Sequence, residues 1–221
     1  MAYRRPRRPQ WNPSMAAINL FGSGGHARVV MDIIAAGGDT VGVMYDDAPR
    51  CGGIGGTPVL RAGEAAVRGP LIVAIGSCRA RRLVAERYGV EFATAVHPSA
   101  VVSPSATLGE GTVVMPGAVI NSGASVGSHC IINTRASVDH DCRVGDYVHV
   151  APGCTLSGDV RVGDGSWIGV GSCVRQGVSI GRGCLIGAGS VVVGDIPDGS
   201  VAYGNPCRVV RWNEPWDAAD E

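Results

Sequence analysis

Residues 126–156 read VGSHCI-INTRAS-VDHDCR-VGDYVH-VAPGCT-L when cut after every sixth residue, and each block opens on Val, Ile or Leu. The step runs on in both directions, through Val96, Val102, Leu108, Val114 and Ile120 on one side and Val162, Ile168, Val174, Ile180, Ile186 and Val192 on the other. All 17 positions are branched aliphatics, so an internal repeat governs the second half of the chain. Four residues after each opening comes a small side chain or at most Val, as in Ala118, Ala124, Cys130, Val148 and Ser166; Ile196, after the last step, breaks the trend. A coil with a branched residue inward and a small one near each corner can stack on copies of itself. Glycines fill the turns, where a positive φ penalises a side chain. Four of the eight cysteines (Cys130, Cys142, Cys154, Cys184) stand in the small slot and read as core fillers, not as metal or redox groups.

Composition agrees with thin strands and many turns. The chain of 221 residues carries 34 Gly and only 2 Phe, a mixture that suits short β-branched strands and not a helix bundle. Net charge is zero, but Arg4, Arg5, Arg7 and Arg8 lie in the first fifteen residues, leaving 15 Arg against 19 acids elsewhere. A body of that sign has no electrostatic footprint for nucleic acid. The Arg-rich start runs into Pro9-Gln10-Trp11-Asn12-Pro13 and not into an apolar segment, so it is no secretory signal, and Met15 is an alternative start. No run reaches the ~18 apolar residues of a membrane span. Reduced thiols and the missing export signal point to the cytoplasm.

Upstream of the repeat, Ile18 to Phe21 reads as a buried strand, Gly22-Ser23-Gly24-Gly25-His26-Ala27 as a loop and Arg28 to Ala36 as a helix ended by Gly37-Gly38. Strands over Thr40 to Tyr45 and Leu71 to Ile75 end in Asp46-Asp47 and Gly76-Ser77, and an Arg-rich helix covers about 79 to 88. Alternation of this kind predicts a small parallel α/β domain. The loop fits a relaxed dinucleotide pattern, with backbone N–H groups at a helix start for phosphate and acids about 24 residues on for ribose. The unit is too short for two mononucleotide halves, so a single nucleotide, with a sugar attached, fits it better than NAD.

The six-residue pattern resembles that of the hexapeptide-repeat acyltransferases, which implies a left-handed parallel β-helix with 18 residues per triangular coil. Five to six coils would stand about 27 Å tall. Joined to a small α/β (Rossmann-like) domain, it is similar in particular to the NeuD/PglD-type sugar acyltransferases. The stretches that carry the likeness are residues 22–26, Asp46-Asp47, residues 132–142 (INTRASVDHDC) and the closing Tyr203-Gly204-Asn205-Pro206-Cys207-Arg208, where Cys207 replaces the family's Ala. The resemblance implies an acetyl-CoA-dependent N-acetyltransferase acting on the 4-amino group of a nucleotide-linked sugar for surface glycans. It would be a homotrimer with active sites between subunits and no metal.

Residue by residue, the resemblance makes His140 the catalytic base and Asp141 its partner, with Asp139 as the alternative. His149 would touch the acetyl donor, Gly158 would offer an N–H to the thioester oxygen, and Val170 and Ala188 would hold the CoA arm. Gly24, Gly25, His26, Asp46, Asp47 and Gly76 would bind the nucleotide-sugar. Spacing offers a check, because His149 and Trp167 lie 18 apart, as do Val170 and Ala188. An imidazole raised by a carboxylate suits proton removal from an amine near neutral pH, and a fixed backbone N–H suits the oxyanion. His129 reads as a solvated turn residue and His97 as structural; Trp212 and Trp216 would cap the prism or pack on a neighbour. Rival readings are a sugar O-acetyltransferase, a noncatalytic nucleotide-sugar-binding protein and a zinc enzyme using His129, His140 and His149. The expected units are an Arg-rich extension without fixed structure (1–15), a nucleotide-sugar domain (16–95), the β-helix (96–197) and a tail (198–221).

Overall fold

A computed structural model describes residues 17–216; the Arg-rich extension and the alternative start at Met15 lie outside the described residues. The N-terminal domain holds β1 (Ile18–Phe21), α1 (Gly25–Gly37), β2 (Val41–Asp46), β3 (Gly53–Ile54), β4 (Thr57–Arg61), β5 (Leu71–Val73) and α2 (Cys78–Arg87). Its sheet runs β3-β4-β2-β1-β5. All neighbours are parallel except the hairpin of β3 with β4, which turns on Gly55 and Gly56. That glycine-rich hairpin has no apolar periodicity to mark it in the sequence. Two boundaries move by more than one residue. Helix α1 starts at Gly25 and not at Arg28, because first-turn N–H groups need no helical partner and tolerate glycine there. Strand β5 stops at Val73, and the carbonyls of Ile75 and Gly76 turn away to meet Arg81.

From Ala95 the chain winds into a left-handed parallel β-helix of 17 two-residue strands, from β6 (Ala95–Val96) to β22 (Val191–Val192). They form three sheets, one per face of a triangular prism, and each strand pairs with those 18 residues before and after, as in Ile131↔His149↔Trp167↔Leu185. The inward side chains from Val114 to Val192 are buried with the small corner residues in one core. Val96 differs: it is 38% exposed, since no coil lies beneath the first one. The cysteines in the small slots are buried, and burial pushes the Cys130 thiol up to about 12. These are inert fillers.

Residues 198–212 do not form a loose tail. Strand β23 (Ser200–Gly204) adds to the first face beside Leu185–Ile186, and β24 (Cys207–Trp212) folds back on it antiparallel, closing the prism. Trp212 remains 64% exposed.

The three faces carry different outward rows. The first shows Ala95, Val113, Ile131, His149, Trp167 and Leu185, whereas the third shows Thr107, Ser125, Arg143, Arg161 and Ser179. The N-terminal domain packs on the apolar end of the first face: Val30, Ile33 and Ile34 of α1 share a buried cluster with Val113, Met115 and Ile131. Removing that apolar surface from water favours docking of the domain on this face.

Candidate active site

Six positions singled out in the N-terminal domain converge on one cavity. Gly24, Gly25, His26, Asp46, Asp47 and Gly76 line a space of about 340 Å³ together with Ser23 and the β1 and β5 ends. The start of α1 aims its unpaired N–H groups there, a favourable seat for phosphate. Asp46 is committed to the loop: Oδ2 accepts from Ser23 N–H (2.8 Å) and Oγ–H (2.6 Å), and Oδ1 from Ala48 N–H (2.9 Å). Burial works to raise its carboxyl, but the Ser23 hydroxyl, the two N–H groups and Arg50 outweigh it and hold the group below its ordinary value. Asp47 is paired with Arg87 at 2.9 Å. His26 sits in the first turn of α1 with Nε2 buried and unpartnered, and burial followed by the charge of Arg81 lowers its pKa to about 4.

On the prism, His140 stands at the corner between the second and third faces, with its side chain 61% exposed. Asp141 Oδ2 accepts from His140 Nδ1 at 3.0 Å, while Asp139 Oδ1 takes the His140 backbone N–H (2.8 Å) and the Asn121 amide (2.8 Å). Asp141 is therefore the imidazole's partner and Asp139 a turn-former. The pKa of His140 is raised, first by the Asp141 hydrogen bond and then by the charge of Asp139. Since Nδ1 donates, Nε2 is the free basic nitrogen. One coil on, Gly158 lies under the ring: a Cβ there would be 2.5 Å from both Cε1 and Nε2. The N–H groups of Gly158, Val170 and Ala188 find no acceptor among the described residues. Val170 and Ala188 stack at another corner, between the first and second faces, where Gly189 N–H bonds Val170 O (2.8 Å).

His149 is not a surface coil residue. It is 5% exposed, wedged between the prism and the N-terminal domain, and packs on Trp167 with ring centroids 4.4 Å apart. Nδ1 donates to Gly76 O (3.2 Å), and Nε2 accepts from Asn133 Nδ2 (2.9 Å). The amide orientation follows from its oxygen accepting Thr134 N–H (2.8 Å). Burial, then the charge of Arg81, lowers the His149 pKa to about 3. Asn133 belongs to the INTRASVDHDC stretch, yet nothing in the string marks it as the residue that fixes His149.

The expectation of a solvated His129 is wrong. It is 4% exposed at the corner between the third and first faces, stacked on Tyr147 (5.1 Å) and edge-on to Phe92 (4.5 Å). The N-terminal domain covers this corner, and Trp216 returns over it beneath the Arg82 guanidinium (4.5 Å). His129, His140 and His149 thus lie at two different corners and on a face of the prism, and one chain does not gather them around a metal.

Comparisons with known proteins agree with this architecture. Residues 17–88 match the PglD N-terminal domain family, and residues 123–158 and 159–194 match the bacterial transferase hexapeptide family. The chain is similar to PerB from Caulobacter crescentus, solved with CoA and GDP-perosamine: 40% identity over 90% of this chain and 99% of that one, TM-score 0.83. It is also similar to the acetyltransferase domain of PglB from Neisseria gonorrhoeae, solved with acetyl coenzyme A: 39% identity, 88% and 98% coverage, TM-score 0.82. A UDP-N-acetylbacillosamine N-acetyltransferase of Bacillus subtilis is 38% identical over 118 residues, a match that spans 51% of that protein.

Proposed function

This chain belongs to the sugar N-acetyltransferases that join a PglD-type N-terminal domain to a hexapeptide-repeat β-helix, and from that premise we propose that it moves the acetyl group of acetyl-CoA onto the 4-amino group of a nucleotide-linked sugar. The observation that carries the reading is His140, tied at Nδ1 to Asp141 and bare at Nε2 above the glycine at 158. The amine nitrogen attacks the thioester carbon while His140 Nε2 takes its proton. The oxyanion that forms is held by Gly158 N–H, which needs no reorganisation in a rigid coil. Collapse breaks the C–S bond, and the imidazolium returns the proton to the departing sulfur, giving the amide and free CoA.

The six cavity residues hold the nucleotide and lead its sugar outward, with Asp46 acting mainly by shaping the loop. Val170 and Ala188 present N–H groups to the CoA arm. His149, whose nitrogens are both engaged, offers the donor a fixed ring surface and not a proton.

The same layout supports a proposal about assembly. The cavity and His149 lie along the first face, whereas His140 occupies the corner that does not border that face. We propose that the base of one subunit serves the cavity of another, its corner standing beside that subunit's first face. A closed ring of three prisms would meet this for every subunit. None of the helices among the described residues is long and apolar enough to cross a membrane. We place the enzyme in the cytoplasm, where acetyl-CoA is made, supplying amino sugars for surface glycans.

The test is release of free CoA thiol from acetyl-CoA across UDP-, dTDP- and GDP-linked 4-amino sugars, with the product identified as amide or ester by mass and base stability. Thiol release with amide formation is expected for at least one. Ester formation, or binding without thiol, overturns the reading.

A further inference from the structure

Arg81 heads the fully buried side chains of the protein at 1% exposure, and its partners are backbone carbonyls, not carboxylates. Nε donates to His129 O (2.7 Å) and Nη2 to Tyr147 O (2.7 Å), two corners stacked one coil apart. Nη1 donates to Ile75 O (2.8 Å) and Gly76 O (3.0 Å), on the loop that follows β5. A buried charge without a counter-ion is costly, so a chain that only needed a staple between domains would do better with apolar contact. What an apolar side chain would not supply is the fixed position of Gly76. That carbonyl also accepts from His149 Nδ1, and Gly76 lines the cavity. One guanidinium therefore fixes, through a single shared oxygen, both the wall of the cavity and the imidazole on the prism.

We infer that Arg81 is a positioning residue for acetyl transfer, which by holding Gly76 O locks His149 as the Nδ1–H tautomer and sets the distance between the nucleotide-sugar cavity and the first face of the prism. The inference rests on the acetyl-transfer reading for what the cavity binds, but not for how His149 is held. The groups that face His149 are Arg81 and Cys78 on α2, His26 on α1, and Asn133 and Trp167 on the prism. Among them only Arg81 is charged near neutral pH, His26 having a pKa of about 4. The same charge opposes a proton on His26, His129 and His149 alike. Together with burial, Arg81 is thus placed to keep the three imidazoles of the seam neutral as well as to align it.

The experiment is ¹⁵N NMR of the histidine-labelled full chain, with His149→Asn assigning one of the five imidazoles. In the wild-type protein without substrate, His149 should show the Nδ1–H tautomer unchanged between about pH 7.5 and 5. In Arg81→Met it should become a tautomer mixture or titrate in that range. The KM for the nucleotide-sugar should rise about tenfold or more as alignment is lost, while the acid limb of the rate profile, set at the distant His140, stays in place. Arg81→Lys, which keeps charge but cannot span the carbonyls, should recover stability without recovering KM. A wild-type His149 that is Nε2–H, or that titrates near the ordinary imidazole value, overturns the inference with no variant needed. So does a folded Arg81→Met or Arg81→Lys that is less heat-stable yet keeps tautomer and KM. Should no amino sugar be turned over, the acetyl-transfer reading fails by itself, and the tautomer experiment still decides how His149 is held.

Discussion

Two corners of the prism use the same backbone unit to opposite ends. At the third-to-first corner His129 adopts φ 53° and at the second-to-third corner Asp141, next to His140, adopts φ 60°. Most corners of this register hold glycine at positive φ; the non-glycine ones are His129, Arg135, Asp141, Tyr147 and Asp159. A side chain accepts that conformation at a cost, and the positions that do so include the carboxylate beside the base and two rings under the N-terminal domain. Covered by Phe92, Tyr147 and Arg81, the His129 imidazole falls to a pKa of about 4, whereas His140, open to water and facing carboxylates, is raised. The coil supplies geometry. What lies over a corner decides the chemistry.

The sharpest way to break this contrast is to remove the exposed ring. His140→Ala should lower turnover by about 10²–10⁴, the ordinary worth of a general base, and leave the thermal midpoint and oligomer size unchanged, because the ring packs in no core. An active, well-folded His140→Ala enzyme would take His140 out of the mechanism. His129 should behave in the reverse manner, through stability. With a folded pKa of about 4 against 6.5 unfolded, the unfolded chain binds the extra proton between those values, so stability is full above about pH 6.5 and declines as pH falls toward 4. The loss has an upper bound on the order of 3 kcal/mol. His129→Phe keeps a ring against Tyr147 and gives up the two ring nitrogens, of which Nδ1 is buried and has no partner among the described residues. Urea unfolding at pH 7 and pH 5 should show a flatter pH dependence in that variant; identical slopes would mean that His129 is not held neutral.

The same distinction separates what could be read from the string. The inward Val, Ile and Leu of each hexad, the coil of 18 and the pairing of His140 with a neighbouring acid are local relations, and sequence spacing carries them. Burial of His129 and His149 depends on a second domain landing on and beside the first face, with Arg81 lying 48 residues from His129 and Gly76 lying 73 from His149. A signal for it existed in the outward row of that face, apolar at Val113, Ile131, Trp167 and Leu185, against Arg143 and Arg161 on the third. For Arg81 the signal was slight, its place at helical spacing on one face with Cys78, Val84 and Ala85. By composition the three arginines of Cys78-Arg79-Ala80-Arg81-Arg82 look alike, and what Arg81 meets on that face is supplied by the prism. The strand at 200–204 was hidden because the hexad rhythm lapses at Ile196 before the sheet does.

Gly158 tests whether the open corner depends on closeness to the next coil as well as on water. Gly158→Ala would put a methyl 2.5 Å from His140 Cε1 and Nε2, and φ is not left-handed at this residue, so the damage falls on the ring. Turnover should drop about ten- to a hundredfold from misplacement of the base, with little change in thermal midpoint. Unaltered turnover would show that the ring works from a position other than the one above residue 158.

The smallest expected change comes from the charge beside the base. Asp141→Asn keeps a residue type that tolerates positive φ, and its amide oxygen can still accept from Nδ1–H, so ring placement and tautomer persist. What disappears is the carboxylate charge, which strengthens that hydrogen bond, the first cause of the raised His140 pKa, and adds its own attraction; Asp139 and Asp159 remain. The folded pKa should move down toward 6.5, and the acid limb of kcat/KM should move to lower pH with it, because the base is then deprotonated at lower pH. The plateau should fall only a few-fold, following the weaker basicity. An acid limb that stays where it was would mean that Asp141 orients the imidazole without tuning it, and the contrast with His129 would then rest on solvent exposure alone.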